Sequence, residues 1–417
     1  MDTLSHIIDH ESIKINMSLL GISGVKVMKT YKIMILLSYI CVASFSATLI
    51  TPALPAIGHF YSINSADLSW VVSIFLIGYV VGQLIYGPLA KSFGALKALK
   101  AGLILNIVGI LVSLTSVRFI NFDLLLVGRL LTALGAASGL ACTFMLMHEL
   151  LNEKEYKHAM SYTVLAFTLG IGMAVFLGGI ITQYLHWQMC FWLLLVHGMT
   201  VLALTLCFSN TRNLTNKQSI HFGVIIGDYW KALSNLQLIK YSLLVGFVSA
   251  FSYAYAAIAP LYVHSDLHMN PAQYGYWNGI NMVGMLLGGV LGGKLMKKYG
   301  AKMLLQWGLI GFFPCCFLLV ILAFYSLNYA VLFFIITAAM YLFGGFLFPS
   351  ASFFAMASSK DKANASSMMS FVNMLTAVLA VIIAGHLPVK PILSFALLIS
   401  MMYVFCIALV LSKRSSK

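Results

Sequence analysis

One cation in this 417-residue chain stands where no water is expected: Arg129, inside the apolar run 122–147. A guanidinium in hydrocarbon must find hydrogen-bond acceptors or an anion, so an intramembrane charge is costly and marks function. No acidic residue lies deep in any apolar run. Asp67, Asp123 and Asp266 fall at run ends, and the other eight acids lie in polar or terminal segments. Two readings stay open. Carbonyls, hydroxyls such as that of Thr132 and water satisfy the guanidinium, or it meets an anionic ligand or a proton-linked group. His197, in the run 187–208, is the second titratable group at such a depth, and an imidazole can carry a proton near neutrality. Its alternative is a packed or snorkelling ring, and His148 and His386 read as interfacial. The seven cysteines all sit in apolar runs with no framework spacing, so they read as buried thiols, with no disulfide, metal or cofactor implied. Neither a convergent His/Asp/Glu cluster for an embedded enzyme nor a G-x-x-x-x-G-K-(S/T) loop for ATP occurs.

The elements that must carry these residues follow from composition. With 61% hydrophobic and 9% charged residues, the chain cannot coat a water-soluble globule, whose charged share is about 25%. Its solvent is lipid. Apolar runs of about 20 residues, the length of a membrane-spanning helix, fall at 32–55, 68–90, 97–117, 122–147, 159–184, 187–208, 241–264, 272–296, 303–325, 328–350, 364–386 and 391–412. The fold class expected is an all-α membrane protein of twelve helices in two six-helix halves around a central cavity. Its parts are a tail 1–31, halves 32–208 and 241–412, a linker 209–240 and a tail 413–417. Met1 to Met28 is polar and reads as a cytoplasmic tail, not a signal peptide. With both termini inside, 22 Lys and Arg fall on the cytoplasmic side and only Arg118 and Lys390 outside, which is the positive-inside bias. The net charge of +14 then faces anionic lipid, and nucleic acid is not an expected partner.

An internal repeat sharpens the architecture. A shift of 206 residues places Gly78, Gly82, Gly87, Leu89, Lys91, Phe93, Gly94 and Ala95 on Gly284, Gly288, Gly293, Leu295, Lys297, Tyr299, Gly300 and Ala301. Two halves of the same orientation form a parallel repeat with a cavity between them. Gly78/Gly82, Gly135/Gly139 and Gly284/Gly288 form small-xxx-small faces for close helix approach. The turns around Gly94 and Gly300 are expected to act as a hinge, their small residues allowing close approach, with Gly87, Lys91, Gly293 and Lys297 beside them.

These motifs resemble the major facilitator superfamily and, within it, the Bcr/CflA-like branch of drug:proton antiporters. Pro52-Ala53-Leu54-Pro55 is similar to the branch's P-A-L-P signature, 87-GPLAKSFGALK-97 to the cytoplasmic loop between helices 2 and 3, and 128-GRLLTALGAASG-139 to the helix 4 motif. The segment 174-AVFLGG-179 is similar to A-P-x-x-G-G, making Gly178 and Gly179 candidates for a helix 5 gate, and 187-WQMCFW-192 is similar to W-R-x-x-F-W. Tyr229 and Asn235 precede helix 7, which ends in Ala259-Pro260-Leu261. The resemblance implies that Arg129 lies beside the translocation path and that helices 7 and 8 line the cavity. From their amide and aromatic cluster Tyr253, Tyr255 and Asn281 are the expected lining residues, while Tyr262, Tyr276 and Trp277 read as belt residues.

The departures from the family pattern change the chemistry. The acidic residue of helix 1 is Thr48 here, that of the first cytoplasmic loop is Lys91, the helix 4 glutamine is Thr132, the helix 5 proline is Val175 and the arginine after Trp187 is Gln188. A carboxylate proton relay at Thr48 is therefore missing. The expected function is secondary transport of a small organic solute by alternating access, in the efflux sense, with neutral or anionic substrates favoured through Arg129. The proton is the candidate coupling ion, and the protein is expected to be a monomer in the plasma (cell inner) membrane. The alternatives are an importer or facilitator of an organic anion, such as a siderophore or organic acid, and a transport-inactive sensor.

Overall fold

The computed structural model describes residues 24–208, 234–327, 329–359 and 362–412, so most of the 209–240 linker, including Tyr229, lies outside the described residues. The described residues are almost entirely helical. We name the helices α1 (Gly24–Thr48), α2 (Trp70–Phe93), α3 (Ala95–Phe119), α4 (Phe122–Leu150), α5 (Glu153–Tyr184), α6 (Met189–Leu204), α7 (Leu236–Ser265), α8 and α9 (the parts of Pro271–Phe324 before and after Gly300), α10 (Ala330–Ala357), α11 (Lys362–His386) and α12 (Pro391–Leu411). The 54 residues of Pro271–Phe324 are continuous except at Gly300, whose φ of 82° and ψ of 164° end one helix and start the next. At about 1.5 Å per residue this is more than twice the hydrocarbon thickness, so the eleven apolar helices make twelve crossings.

Several helix boundaries differ from the expectation by a few residues, and the first span differs most. The first span begins before residue 32 and is interrupted: α1 stops at Thr48, a 3-10 turn occupies Thr51–Ala53, and a short helix Leu54–Tyr61 completes the crossing. Pro52 and Pro55 lack the N–H groups a continuous helix would need, and each stands where a new helical segment starts. Asparagine caps set several starts. Asn121, Asn152, Asn235 and Asn270 each accept a hydrogen bond from the backbone N–H three residues on, satisfying a donor that the first turn leaves free.

The duplication is carried by the backbone more fully than by side chains. All six positive-φ residues among those described pair at the 206-residue shift: Ser62 with His268, Gly94 with Gly300 and Ile120 with Ser326. The cap Asn64, bonded to Asp67 N–H, matches Asn270, bonded to Gln273 N–H. Exposed apolar residues recur at helical spacing on α3 (Ile104, Val108, Leu111), α6 (Trp192, Val196, Met199), α9 (Ile310, Phe313, Phe317) and α12 (Leu397, Met401, Val404). These stripes are the lipid faces of four peripheral helices, two in each half.

The halves meet through α5 on α8 and α2 on α11. At the end remote from the termini, called here the far end, residues of both halves merge into one buried cluster. Toward the terminal end two further clusters each belong to one half, one around Tyr39, Leu99 and Leu146 and one around Leu238, Ala355 and Met368. The molecule is therefore sealed at the far end and divided at the other.

Candidate functional site

Arg129 has no exposed surface and is held by two neighbouring helices. Nη1 donates to the Ser46 carbonyl of α1 at 2.8 Å, Nε donates to the Val71 carbonyl of α2 at 3.4 Å, and the guanidinium carbon lies 4.4 Å from the centre of the Phe75 ring. Because α1 ends at Thr48, Ser46 carries one of the carbonyls that a helix terminus leaves without an intrahelical donor. A cation near that terminus also meets the negative end of the helix dipole. Hydrogen bonds to a charged group contribute about 1.5–3 kcal/mol each, so the pairing serves both the buried charge and the broken helix. Nη2 is buried and has no hydrogen-bond partner among the described residues. Carbonyls and an aromatic ring are thus the partners in this conformation. Thr132 is not one of them, since its hydroxyl bonds the Gly128 carbonyl at 2.7 Å. Thr48 is buried, and its hydroxyl returns to the Ser44 carbonyl at 2.8 Å, a neutral group in place of a carboxylate.

The matching place in the second half is neutral. Gly78 and Gly82 of α2 face the carbonyls of Leu130 and Leu134, and Gly284 and Gly288 of α8 face those of Ala338 and Leu342. The α4-to-α10 correspondence is therefore a shift of 208 residues (130 to 338, 134 to 342), which puts Thr337 where Arg129 stands, while the 206 shift puts Asn281 where Phe75 stands. Thr337 Oγ1 donates to Asn281 Oδ1 at 2.8 Å. Asn281 Nδ2 donates to Tyr255 Oη at 2.6 Å and to Asn278 Oδ1 at 2.8 Å, and Tyr255 Oη donates to Asn278 Oδ1 at 2.9 Å. All four side chains are buried.

Tyr253, Tyr255 and Asn281, expected to line the cavity, fall into two different surroundings. Residues two apart on a helix point about 200° away from each other. Tyr255 turns into the second half and closes a network with Asn281, whereas half-buried Tyr253 packs on buried clusters of both halves and lies at their seam. Tyr262, expected in the aromatic belt, is buried with its ring 5.0 Å from that of Phe333, and Trp277 stacks on Phe334; Tyr276 is exposed. His197 is half-buried and stacks on Phe45 at 4.7 Å, a packed ring on α6. Thr337, Ser46 and Phe75 were not singled out from sequence. For Thr337 the 206-residue repeat points two residues away, to Ile335, and only the glycine contacts of α2 with α4 and of α8 with α10 reveal the offset.

The glycines divide into two kinds. A Cβ on Gly82 would lie 2.6 Å from Ala137 Cβ, and one on Gly288 would lie 2.6 Å from the Leu342 carbonyl oxygen, so these positions permit helix contact. At Gly87, Gly94, Gly293 and Gly300 a Cβ would meet nothing within 4 Å. Close approach is not why glycine stands at Gly94 and Gly300; their φ values of 94° and 82° are. Lys297 is exposed, and the Lys91 side chain lies outside the described residues. Gly178 and Gly179 do pack tightly, and against different partners. Gly178 receives the Leu49 carbonyl and Pro52 from the α1 break, and Gly179 receives Pro271 and Gly275 of α8. Among the described residues there is no group of three or more His, Cys, Asp or Glu able to hold a metal.

Known proteins resemble this chain in sequence and in fold. The chain is 24% identical over 265 residues to a bicyclomycin resistance protein homolog of Haemophilus influenzae, covering 63% of this chain and 65% of that protein. It is 29% identical over 194 residues to the MFS-type efflux pump MMF1 of Mycosarcoma maydis, covering 46% and 31%. The matches thus span less than two thirds of these relatives' length. The D-xylose-proton symporter superposes with a TM-score of 0.72 at 12% identity over 90% of this chain and 96% of its own. A bacterial homolog of the human lysosomal transporter Spinster, in an inward-facing and occupied conformation, superposes at 0.69 and 13% over 91% and 96%. Residues 36–385 match the Major Facilitator Superfamily, and with twelve crossings in two pseudo-symmetric halves the chain belongs to that superfamily.

Proposed function

We propose that the protein is a secondary transporter, a carrier and not an enzyme, that exports a small neutral or anionic organic solute by alternating access. The observation that carries the substrate class is Arg129: a buried guanidinium bonded to main-chain carbonyls with Nη2 unpaired, in a chain whose α1 offers Thr48 where the resembled antiporters have an acid. A carboxylate pairs with a guanidinium through two parallel hydrogen bonds, and a lipophilic cation is repelled. In this conformation α1 and α2 enclose the guanidinium, so a substrate meets it only once α1 has moved. The outward direction is supported by the efflux relatives, and both termini are placed in the cytoplasm by the 22-to-2 distribution of Lys and Arg. That orientation makes the sealed far end the outer one. The turns at Gly94 and Gly300, with Gly87, Lys91, Gly293 and Lys297, form the hinge on the cytoplasmic side, and Gly178 and Gly179 form part of the gate.

The deciding experiment is uptake into proteoliposomes of matched organic carboxylates, neutral amides and lipophilic cations, with and without an imposed pH gradient. Carboxylates or neutral compounds are expected to be transported and to lose transport in Arg129→Ala. Efficient transport of lipophilic cations that is indifferent to Arg129→Ala would overturn the substrate assignment. The unlabelled alternative, uptake of an organic anion, is distinguished by which face of the vesicle must carry the solute.

A further inference from the structure

A continuous line of contacts joins the buried cation to the seal between the halves. Arg129 holds the Ser46 carbonyl, two residues before α1 ends. Three residues after Ser46 the Leu49 carbonyl sits on Gly178 of α5, and on the next residue, Gly179, sit Pro271 and Gly275 at the start of α8 in the other half. Phe176 of α5 adds an edge contact to Tyr276 of α8 at 5.4 Å, and Gly172 takes the Met282 side chain. α5 is thus a wedge with the α1 break on one side and the opposite half on the other. No side chain tighter than glycine is accommodated at either surface, so displacement of the break is transmitted and not absorbed.

We propose that Arg129 is the positioning residue that keeps the far end sealed: by holding the Ser46 carbonyl it fixes the α1 break against α5 and, through Gly178 and Gly179, fixes α5 against α8. The inference concerns the gate and holds whatever the substrate's charge. Releasing that bond frees α1 at its weakest point, between Thr48 and Thr51, where no regular helix resists movement. The second half supplies an internal control. Thr337, at the position matching Arg129, bonds Asn281 within its own half.

The test is a spin-label distance across the seam in full-length protein in nanodiscs without substrate. His59 and His264 are exposed and line one cavity of about 200 Å³ from opposite halves, so His59→Cys and His264→Cys carry the labels, with exposed Cys207→Ser removing background. A single short separation is expected with Arg129 present. Arg129→Met should shift the distribution to longer separations. Gly178→Ala should do the same with Arg129 intact, because its Cβ displaces the Leu49 carbonyl. Thr337→Val should leave the separation unchanged. An unchanged separation in folded Arg129→Met overturns the proposal, as does an equal lengthening in Thr337→Val, which would mean that any lost buried polar contact loosens the seam. If Arg129→Met does not fold, Gly178→Ala decides: a seam that stays shut there refutes transmission through α5.

Discussion

The two halves share a backbone and differ in what the backbone holds. α2 on α4 and α8 on α10 pack through the same glycine pairs against the same carbonyls, and the positive-φ turns coincide. At the matching buried position, however, the first half places a guanidinium over an aromatic ring and the second a threonine bonded to an amide. The charged site borrows acceptors from two neighbouring helices, one of them broken, whereas the neutral network completes itself within α7, α8 and α10. Duplication thus preserved the packing surface and left the polar position free to diverge. A cation that needs main-chain carbonyls from elsewhere couples helices; an amide network that satisfies its own donors rigidifies one half.

The largest expected effect separates the halves. Arg129→Ala should abolish transport of an anionic solute, while Arg129→Lys, which keeps the charge but not the planar fork, should retain a weakened activity. Thr337→Ala should reduce activity far less, because it removes one neutral hydrogen bond worth about 0.5–1.5 kcal/mol and leaves Asn281 bonded to Tyr255 and Asn278. Initial rates in proteoliposomes, normalised to folded protein, read the difference. Equal losses at the two positions would erase the functional asymmetry.

The next effect should be the same in both halves. Gly82→Val and Gly288→Val each drive a branched side chain into a facing helix, where even a Cβ would come within 2.6 Å of an atom on α4 or α10. Overpacking of core positions costs about 1–3 kcal/mol, and a contact against backbone exceeds the lower part of that range. Thermal unfolding in detergent should show matched destabilisation. A loss confined to one half would mean that the shared glycine register does not carry shared packing.

The pattern of what sequence could show follows the same division. Helix number and the Gly300 break were legible because apolar length and a glycine-bearing repeat are written in residue types. Arg129 was conspicuous for the same reason. Its partners were not, because a main-chain carbonyl belongs to every residue and only the end of α1 at Thr48 singles out that of Ser46. Tyr253 and Tyr255 looked alike as aromatic residues beside the cavity, and helical geometry alone separates the seam residue from the network residue. Thr337 hid in an apolar run, and the 206-residue repeat passes it by for Ile335; only the contacts of α8 with α10 pick it out. The paired turns at Ser62/His268 and Ile120/Ser326 share a conformation without sharing a residue, so side-chain matching passes over them.

The smallest expected effect uses one of those turns. Ile120 ends α3 with φ 48° and ψ 44°, the left-handed region, where a β-branched side chain crowds its own backbone. Its counterpart Ser326 has φ 49° with an unbranched side chain. The Ile120 side chain is 66% exposed and so has little packing to lose. Asparagine tolerates this conformation, and it avoids the unfolded-state entropy that glycine would add. The neighbouring cap, Asn121 accepting from Leu124 N–H, does not involve the Ile120 side chain and should survive. Ile120→Asn should therefore raise stability by about 1 kcal/mol, whereas Ser326→Asn should change it by less, since less strain is present to relieve. Paired melting curves measure both. A larger gain at Ser326 than at Ile120 would show that the shared torsion is held by surroundings that differ between the halves, and would limit the backbone equivalence to the helices.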